Sequence, residues 1–147
     1  MMALKIRPYH AKDEKDVIDL WIACGLVSPV NNPKLDIERK TKVNPELFLV
    51  GEIEGKVIAS CMAGYEGHRG WINYLAVHPD CRRRGFARRI MAEAERLLRA
   101  SGCAKINLLV RSSNAMVMEF YKNIGFQMED VICMGKRIEF DEPFQVE

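Results

Sequence analysis

Trp71-Ile72-Asn73-Tyr74-Leu75-Ala76-Val77-His78-Pro79-Asp80-Cys81-Arg82-Arg83-Arg84-Gly85-Phe86-Ala87 is the stretch that decides the fold. Its first seven residues are an apolar run of strand type. Pro79, a basic loop and a helical stretch from Arg88 to Arg99 follow. The order is strand, glycine loop, helix start. The first amides of a helix have no internal partners, and the helix dipole is positive there. Such an end suits phosphate. Gly85 allows close approach of the backbone, and Ala87 is nearly as small. The pattern therefore predicts a phosphorylated ligand at residues 83–88. Arg82, Arg83, Arg84, Arg88 and Arg89 crowd the same turn. Most charge runs are solvated faces. Here the guanidinium groups flank the glycine, where they add salt-screened attraction for phosphate.

Outward from this stretch the chain alternates strand and helix. Leu4–Arg7 alternates apolar and basic residues, as a short strand does. Val17, Ile18, Leu20, Trp21 and Ile22 recur at helical spacing up to Gly25. Asn32 before Pro33 is an N-cap for a second helix to about Lys42. Leu47–Ile53 and Lys56–Tyr65 read as strands joined by a Glu54-Gly55 hairpin turn. Glu66–Gly70 is a glycine-bounded turn into the Trp71 strand. Lys105–Val110 is a strand of buried type, and Ser113 or Asn114 caps a helix to Gly125. Phe126–Ile132 and Met134–Phe140 carry the pattern of a last pair of strands. The remainder from about 141 reads as a loose tail. No repeat or linker interrupts residues 1–147, so one domain is expected. The fold class is mixed α/β (α+β).

Val77-x-Pro79-x-x-Arg82-x-x-Gly85-x-Ala87, followed by Asn114 at a helix start and Tyr121-x-x-x-Gly125-Phe126 at its end, resembles the GCN5-related N-acetyltransferase (GNAT) family. The resemblance runs from Leu4 to about Phe140. It implies a mostly antiparallel sheet of about six to seven strands, splayed after the fourth and flanked by about four helices. It implies acetyl-CoA as co-substrate, bound by Leu75, Ala76, Val77, Arg82, Arg83, Arg84, Gly85, Phe86, Ala87, Arg88, Asn114 and Tyr121. Leu75–Val77 would pair their backbone with the pantetheine arm, as a sheet edge pairs with a peptide. Tyr121, two turns beyond Asn114 on the same helix face, would be the general acid for the leaving thiolate. A tyrosine on an apolar face is otherwise core. Asn114 serves equally as a cap.

The general base is less legible. An amine with a pKa of about 10.4 must lose a proton before it attacks. The fourth strand has Trp71 and Asn73 where several relatives place a glutamate, and Leu109 stands where others do. Glu66 is the base candidate, with His68 and a water chain held by Asn73 as alternatives. For Glu66 and His68 a surface turn is an equal reading. Trp21, Asn31, Asn32, Asp36 and Arg39 fall where relatives select the acceptor. Trp21 also fits a core, and Asp36 with Arg39 an i, i+3 pair.

Composition narrows the function classes. Hydrophobic residues are 48% of 147, and the net charge is +2. This is a globular chain without the basic surface of a nucleic-acid binder. Five scattered cysteines form no Cys-x-x-Cys pair and predict reduced thiols in the cytoplasm, with no metal site. Met1–Lys15 lacks an apolar leader, and no stretch is long enough to span a membrane. The acceptor is a small-molecule amine or a peptide or protein amine, attacked directly in a ternary complex. Cys81 is the only cysteine near that chemistry. The alternative is a catalytically silent coenzyme A or acyl-CoA sensor, against which Tyr121 argues. The oligomeric state is open, a homodimer included.

Overall fold

The structure is a computed structural model that describes residues 3–145. The first two and last two residues of the domain expected over 1–147 lie outside that range. Its elements are β1 (Lys5–Pro8), α1 (Glu14–Ala23), α2 (Pro33–Lys40), β2 (Phe48–Ile53), β3 (Lys56–Tyr65), β4 (Gly70–Val77), α3 (Phe86–Ala100), β5 (Ile106–Leu108) and α4 (Ala115–Asn123). The strands lie side by side in chain order, β1 to β4 antiparallel and β5 parallel to β4. The β2–β3 hairpin turns through Glu54 and Gly55, both at positive φ (51° and 81°). That pair of left-handed residues matches the twist of the flanking strands. Asn32 caps α2, its Oδ1 accepting from the Leu35 amide at 3.2 Å.

Two apolar layers cover the sheet. On one face Val17, Leu20 and Trp21 of α1 pack with Phe48, Val50, Met62 and Ala76. On the other, Ile90, Met91, Ala94 and Leu98 of α3 pack with Leu49, Ala59, Cys61 and Ile72. The 3.6-residue period of each helix supplies the stripe that meets the two-residue period of the strands. Lys40 of α2 is buried and donates to the Ala63 carbonyl, beyond the last β2–β3 pair. Its ammonium thus satisfies a carbonyl that the ladder leaves over.

The expected last pair of strands is not formed. The sheet has five strands, because residues 126–132 and 134–140 join no ladder. Val131, Ile132, Met134, Ile138 and Phe140 are exposed. Apolar alternation makes a strand only where an edge and a covering layer receive it. Here β5 makes three pairs and stops. The following segment is tied to it through side chains instead: the Glu129 carboxylate accepts from Asn107 Nδ2 at 2.8 Å and pairs with Lys105. Asp141 and Glu142, at the start of the stretch read as a loose tail, are bonded to α2 and its cap. Asp141 accepts both guanidinium arms of Arg39 at 2.6 and 2.9 Å, and the Glu142 carbonyl accepts from Asn32 Nδ2 at 2.9 Å. Among the described residues no helix is long and apolar enough to cross a membrane.

One partly buried ion pair fixes the first strand to the cap of the first helix. Arg7 donates to both oxygens of Asp13 at 2.8 and 2.9 Å and to Glu52 at 3.2 Å. Asp13 also accepts from the His10 amide at 2.8 Å. The Arg7 guanidinium holds the Asp13 carboxyl below its ordinary range. A lowered folded pKa gives stability that is complete above the unfolded value near pH 4 and is lost as pH falls through the folded one. Asp13→Asn leaves Glu52 as the only carboxylate on Arg7, and should cost about 1.5–3 kcal/mol near neutral pH. Urea unfolding from pH 7 down to 3 is expected to show the gap between parent and variant closing below about pH 4.

Candidate active site

The backbone of β4 changes its allegiance halfway along. At its start the Gly70 amide donates to the Lys105 carbonyl at 2.8 Å, so Gly70 and Ile72 face β5. Three pairs form, Gly70–Ile106, Trp71–Asn107 and Ile72–Leu108, and β5 then ends. On the other edge Met62 pairs with Asn73 and Ser60 with Ala76. Tyr74 and Leu75 therefore both stand opposite Cys61, which is a β-bulge. Tyr74 carries it at φ 51°. Beyond the bulge the parity is reversed. The His78 amide donates to Ile58 at 2.8 Å, so Ala76 faces β3 while Leu75 and Val77 turn their N–H and C=O groups to the open edge. The side chains confirm the swap: Ile72, Leu75 and Val77 pack on the α3 face, Tyr74 and Ala76 on the α1 face. The splay expected after the fourth strand is this opening.

The open edge runs straight into the phosphate-type loop. Arg83 (φ 63°) and Gly85 (φ 77°) are left-handed, and Gly85 is the N-cap of α3 with no side chain to offer. The first backbone bond into the helix is from the Arg89 amide to the Gly85 carbonyl, at 3.1 Å. The amides of Phe86, Ala87 and Arg88 precede it and point out of the helix end. No acid sits in this first turn. A Cβ at Gly85 would meet nothing within 4 Å, so the space before the loop is clear and glycine is needed there for its φ. Phe86 is buried and pins the helix start to the core. Among the described residues Arg82, Arg83, Arg84, Arg88 and Arg89 pair with no carboxylate. Arg82 instead donates to the Val77 carbonyl at 3.1 Å, and Arg89 to that of Leu4 at 3.2 Å.

A cleft of about 1630 Å³ opens between α3, β5 and α4, ample for a large ligand. Arg88, Met91, Leu108 and Tyr121 line it. Tyr121 is buried and meets Phe120 and Phe126 edge-on, with centroids at 5.1 and 5.4 Å. Its hydroxyl has no protein partner among the described residues. Burial, reinforced by the neighbouring Cys61, pushes its pKa well above the usual phenol range. Cys61 is itself pushed up to about 12 by burial and is inert. Asn114 spends its side chain as a cap, Oδ1 accepting from the Val117 amide at 3.2 Å.

Glu66 and His68 are not brought to this site. The Glu66 carboxylate accepts from the amides of His68 and Arg69, which hold it below its ordinary pKa. Both side chains lie in the exposed turn before β4, at the end opposite Gly85. That is the turn reading, and a carboxylate so stabilised is a weakened base. The residues that do converge include one passed over in the sequence. The Tyr74 hydroxyl donates to Asp36 at 2.6 Å and accepts from Asn31 at 2.7 Å, and its ring stacks on Trp21 with centroids 3.8 Å apart. Trp21, Asn31 and Asp36 thus share a single partner on β4. No glycine marks the bulge, so the sequence carries no signal for it.

The pattern of the acetyltransferase (GNAT) family matches residues 14–126. An acetyltransferase of Yersinia enterocolitica is 44% identical over 141 residues, which cover 96% of this chain and 100% of that protein. Another, from Sodalis glossinidius, is 45% identical over 142 residues, with the same coverage. Among solved structures, Ard1 from Thermoplasma volcanium superposes with a TM-score of 0.74 at 24% identity, over 86% of this chain and 84% of that one. The PaiA N-acetyltransferase of Thermoplasma acidophilum, in complex with coenzyme A, gives 0.70 at 19% identity, over 89% and 94%. These last two share the fold.

The unpaired arginines around Gly85 make anion binding salt-dependent. Inorganic pyrophosphate, titrated by calorimetry, should bind more weakly as ionic strength rises. An affinity indifferent to salt would show the arginine run to be a solvated face.

Proposed function

The chain belongs to the acetyltransferase (GNAT) family and is an N-acetyltransferase, and we propose that it moves an acetyl group from acetyl-CoA to a primary amine by direct attack in a ternary complex. One observation carries this reading: the open edge at Leu75 and Val77 is continuous with the uncapped helix start at residues 86–88. An extended ligand ending in phosphates fits that sequence of groups. Acetyl-CoA supplies the acetyl group as a thioester. The new bond joins the amine nitrogen to the acyl carbon, the carbon–sulfur bond breaks, and its electron pair leaves on sulfur.

The residues divide this work. The amides of Arg83 to Arg88 hold the pyrophosphate, and the side chains of Arg82, Arg83, Arg84 and Arg88 add charge. The Leu75 backbone and the Val77 amide receive the pantetheine arm, while the Val77 carbonyl is taken by Arg82 Nε and Cys24 Sγ. Ala76, whose backbone faces β3, holds the strand in place. The Leu75 amide donates to the carbonyl oxygen as negative charge develops there. Tyr121 donates its hydroxyl toward the departing sulfur. Its raised pKa keeps it protonated, as an acid must be. A thiol titrates near pKa 8.5, so complete transfer from Tyr121 is uphill. The hydroxyl therefore acts by hydrogen bonding, and the proton that balances the step comes from the amine nitrogen. Water at the exposed Asn73, next to the bulge, takes that proton from nitrogen and solvent returns one to the thiolate sulfur, since Glu66 is engaged in its turn.

Two variants test this. Gly85→Glu brings bulk and negative charge to the loop and should abolish acetyl-CoA binding in a folded protein. Unchanged affinity would remove the reading. Tyr121→Phe keeps the ring and removes one oxygen. Against an amine found active in a panel, turnover should fall by roughly 10²–10³-fold, the loss for one hydrogen-bond donor to developing charge, with cofactor affinity preserved. Parent-like turnover in this variant would leave Tyr121 as a core residue only.

A further inference from the structure

Ser60 is a fully buried hydroxyl in an otherwise apolar layer, 0% exposed. Its Oγ accepts from Trp21 Nε1 at 2.8 Å and donates to the Tyr74 carbonyl at 2.8 Å. The indole N–H can only donate. It therefore occupies a lone pair of the serine and leaves the hydroxyl proton free for Tyr74. The carbonyl so received belongs to the bulge residue, whose insertion takes it out of the regular ladder. Tyr74 is also the residue held at φ 51°, a conformation that an aromatic side chain adopts only when its surroundings impose it. Those surroundings grip it at three points: Ser60 on the carbonyl, Asn31 and Asp36 on the hydroxyl, and Trp21 across the ring.

We propose that Trp21 and Ser60 are positioning residues for acetyl transfer: their hydrogen-bonded chain locks the Tyr74 peptide and so aims the Leu75 amide at the open edge of β4. The proposal rests on acetyl-CoA being the co-substrate. Tyr74 and Leu75 share a peptide bond, so the plane that carries the Tyr74 carbonyl also carries the Leu75 N–H. Fixing the oxygen on Ser60 fixes the direction of that N–H, which lies in the same plane and points the opposite way. Oriented this way, the amide meets a thioester carbonyl without first having to reorganise. Ser60 and Trp21 touch no substrate and act through that peptide alone.

The test reads the amide directly and needs no acceptor. Acetyl-CoA labelled with ¹³C at the thioester carbonyl is bound to the full chain, and its stretch is recorded by difference infrared spectroscopy. In the parent the band should move to lower frequency than in solution, as a hydrogen-bonded carbonyl does. Ser60→Ala removes the link to Tyr74. Trp21→Phe keeps the stacked ring and removes only the indole donor. In both the band should return toward its solution position while acetyl-CoA affinity stays at the parent level. The double variant should move it no further than Ser60→Ala, because the two residues act in series. A purely structural role would lower thermal stability and leave the band in place, and that result overturns the proposal. Lost affinity at a parent-like frequency overturns it as well. If Ser60→Ala does not fold, Trp21→Phe alone decides in the same way. A parent that binds no acetyl-CoA removes the co-substrate reading and this proposal with it. A parent that binds it with an unshifted band removes only the positioning role.

Discussion

One extra residue in β4 is the constraint on which the rest depends. Without it, Ile72, Tyr74 and Ala76 would share a face, and Leu75 and Val77 would spend their backbones on β3. With it, the strand stays in the sheet through Ala76 and Val77 and still presents a free edge beyond Ile72. The opening is a matter of hydrogen-bond parity as well as of β5 ending early. A tyrosine at positive φ costs of order 1–3 kcal/mol, and the groups around Tyr74 offset it. Strain held by a dense set of contacts is what a site with a preset donor requires, since a relaxed loop would have to order itself at each turnover.

Charge is distributed to the same end. Elsewhere five arginines find carboxylates, Arg7 on Asp13, Arg39 and Arg137 on Asp141, Arg96 on Glu93 and Arg99 on Glu95, while among the described residues Arg69 and Arg111 do not. Around Gly85, Arg82 to Arg84, Arg88 and Arg89 do not, though the net charge of the chain is only +2. Most exposed pairs contribute little to stability. Leaving the loop arginines unpaired therefore forfeits little and keeps their field for an anion. The same loop has two left-handed residues and a helix end without an acid, so backbone dipoles and side chains act in one direction.

What could be read in the sequence follows from how each feature is built. The loop from Pro79 to Ala87 is legible because it is built on backbone conformation, which Gly85 and the helix pattern announce. Asn32 and Asn114 are legible as caps for the same local reason. The bulge is not, because Tyr74 takes a glycine's conformation under tertiary force, and no residue near it marks the exception. The last two strands failed because alternation in 126–140 describes side chains and not the edge that must receive them. Glu66 is not turned toward the cleft because its carboxylate is held by the amides of His68 and Arg69, a local turn that competes with any longer reach.

The two sides of the opening differ in material, and this bears on what each can specify. The side of α3 offers amides, arginines and a phenol, groups suited to one large ligand of fixed chemistry. The side of α1 and α2 offers side chains on separate elements that meet at Tyr74. There Asp36 gives one oxygen to the Tyr74 hydroxyl at 2.6 Å, and its other oxygen lies 3.5 Å from Arg39. Arg39 is also bound by both oxygens of Asp141, so Asp36 shares that guanidinium with a second carboxylate. Across β4 the charge thus changes sign, from unpaired guanidinium groups at Gly85 to a half-buried carboxylate beside the bulge. Substituting the side chains of the second face would alter its charge and shape without touching the backbone that builds the first. A single scaffold can then keep the first face while the second varies.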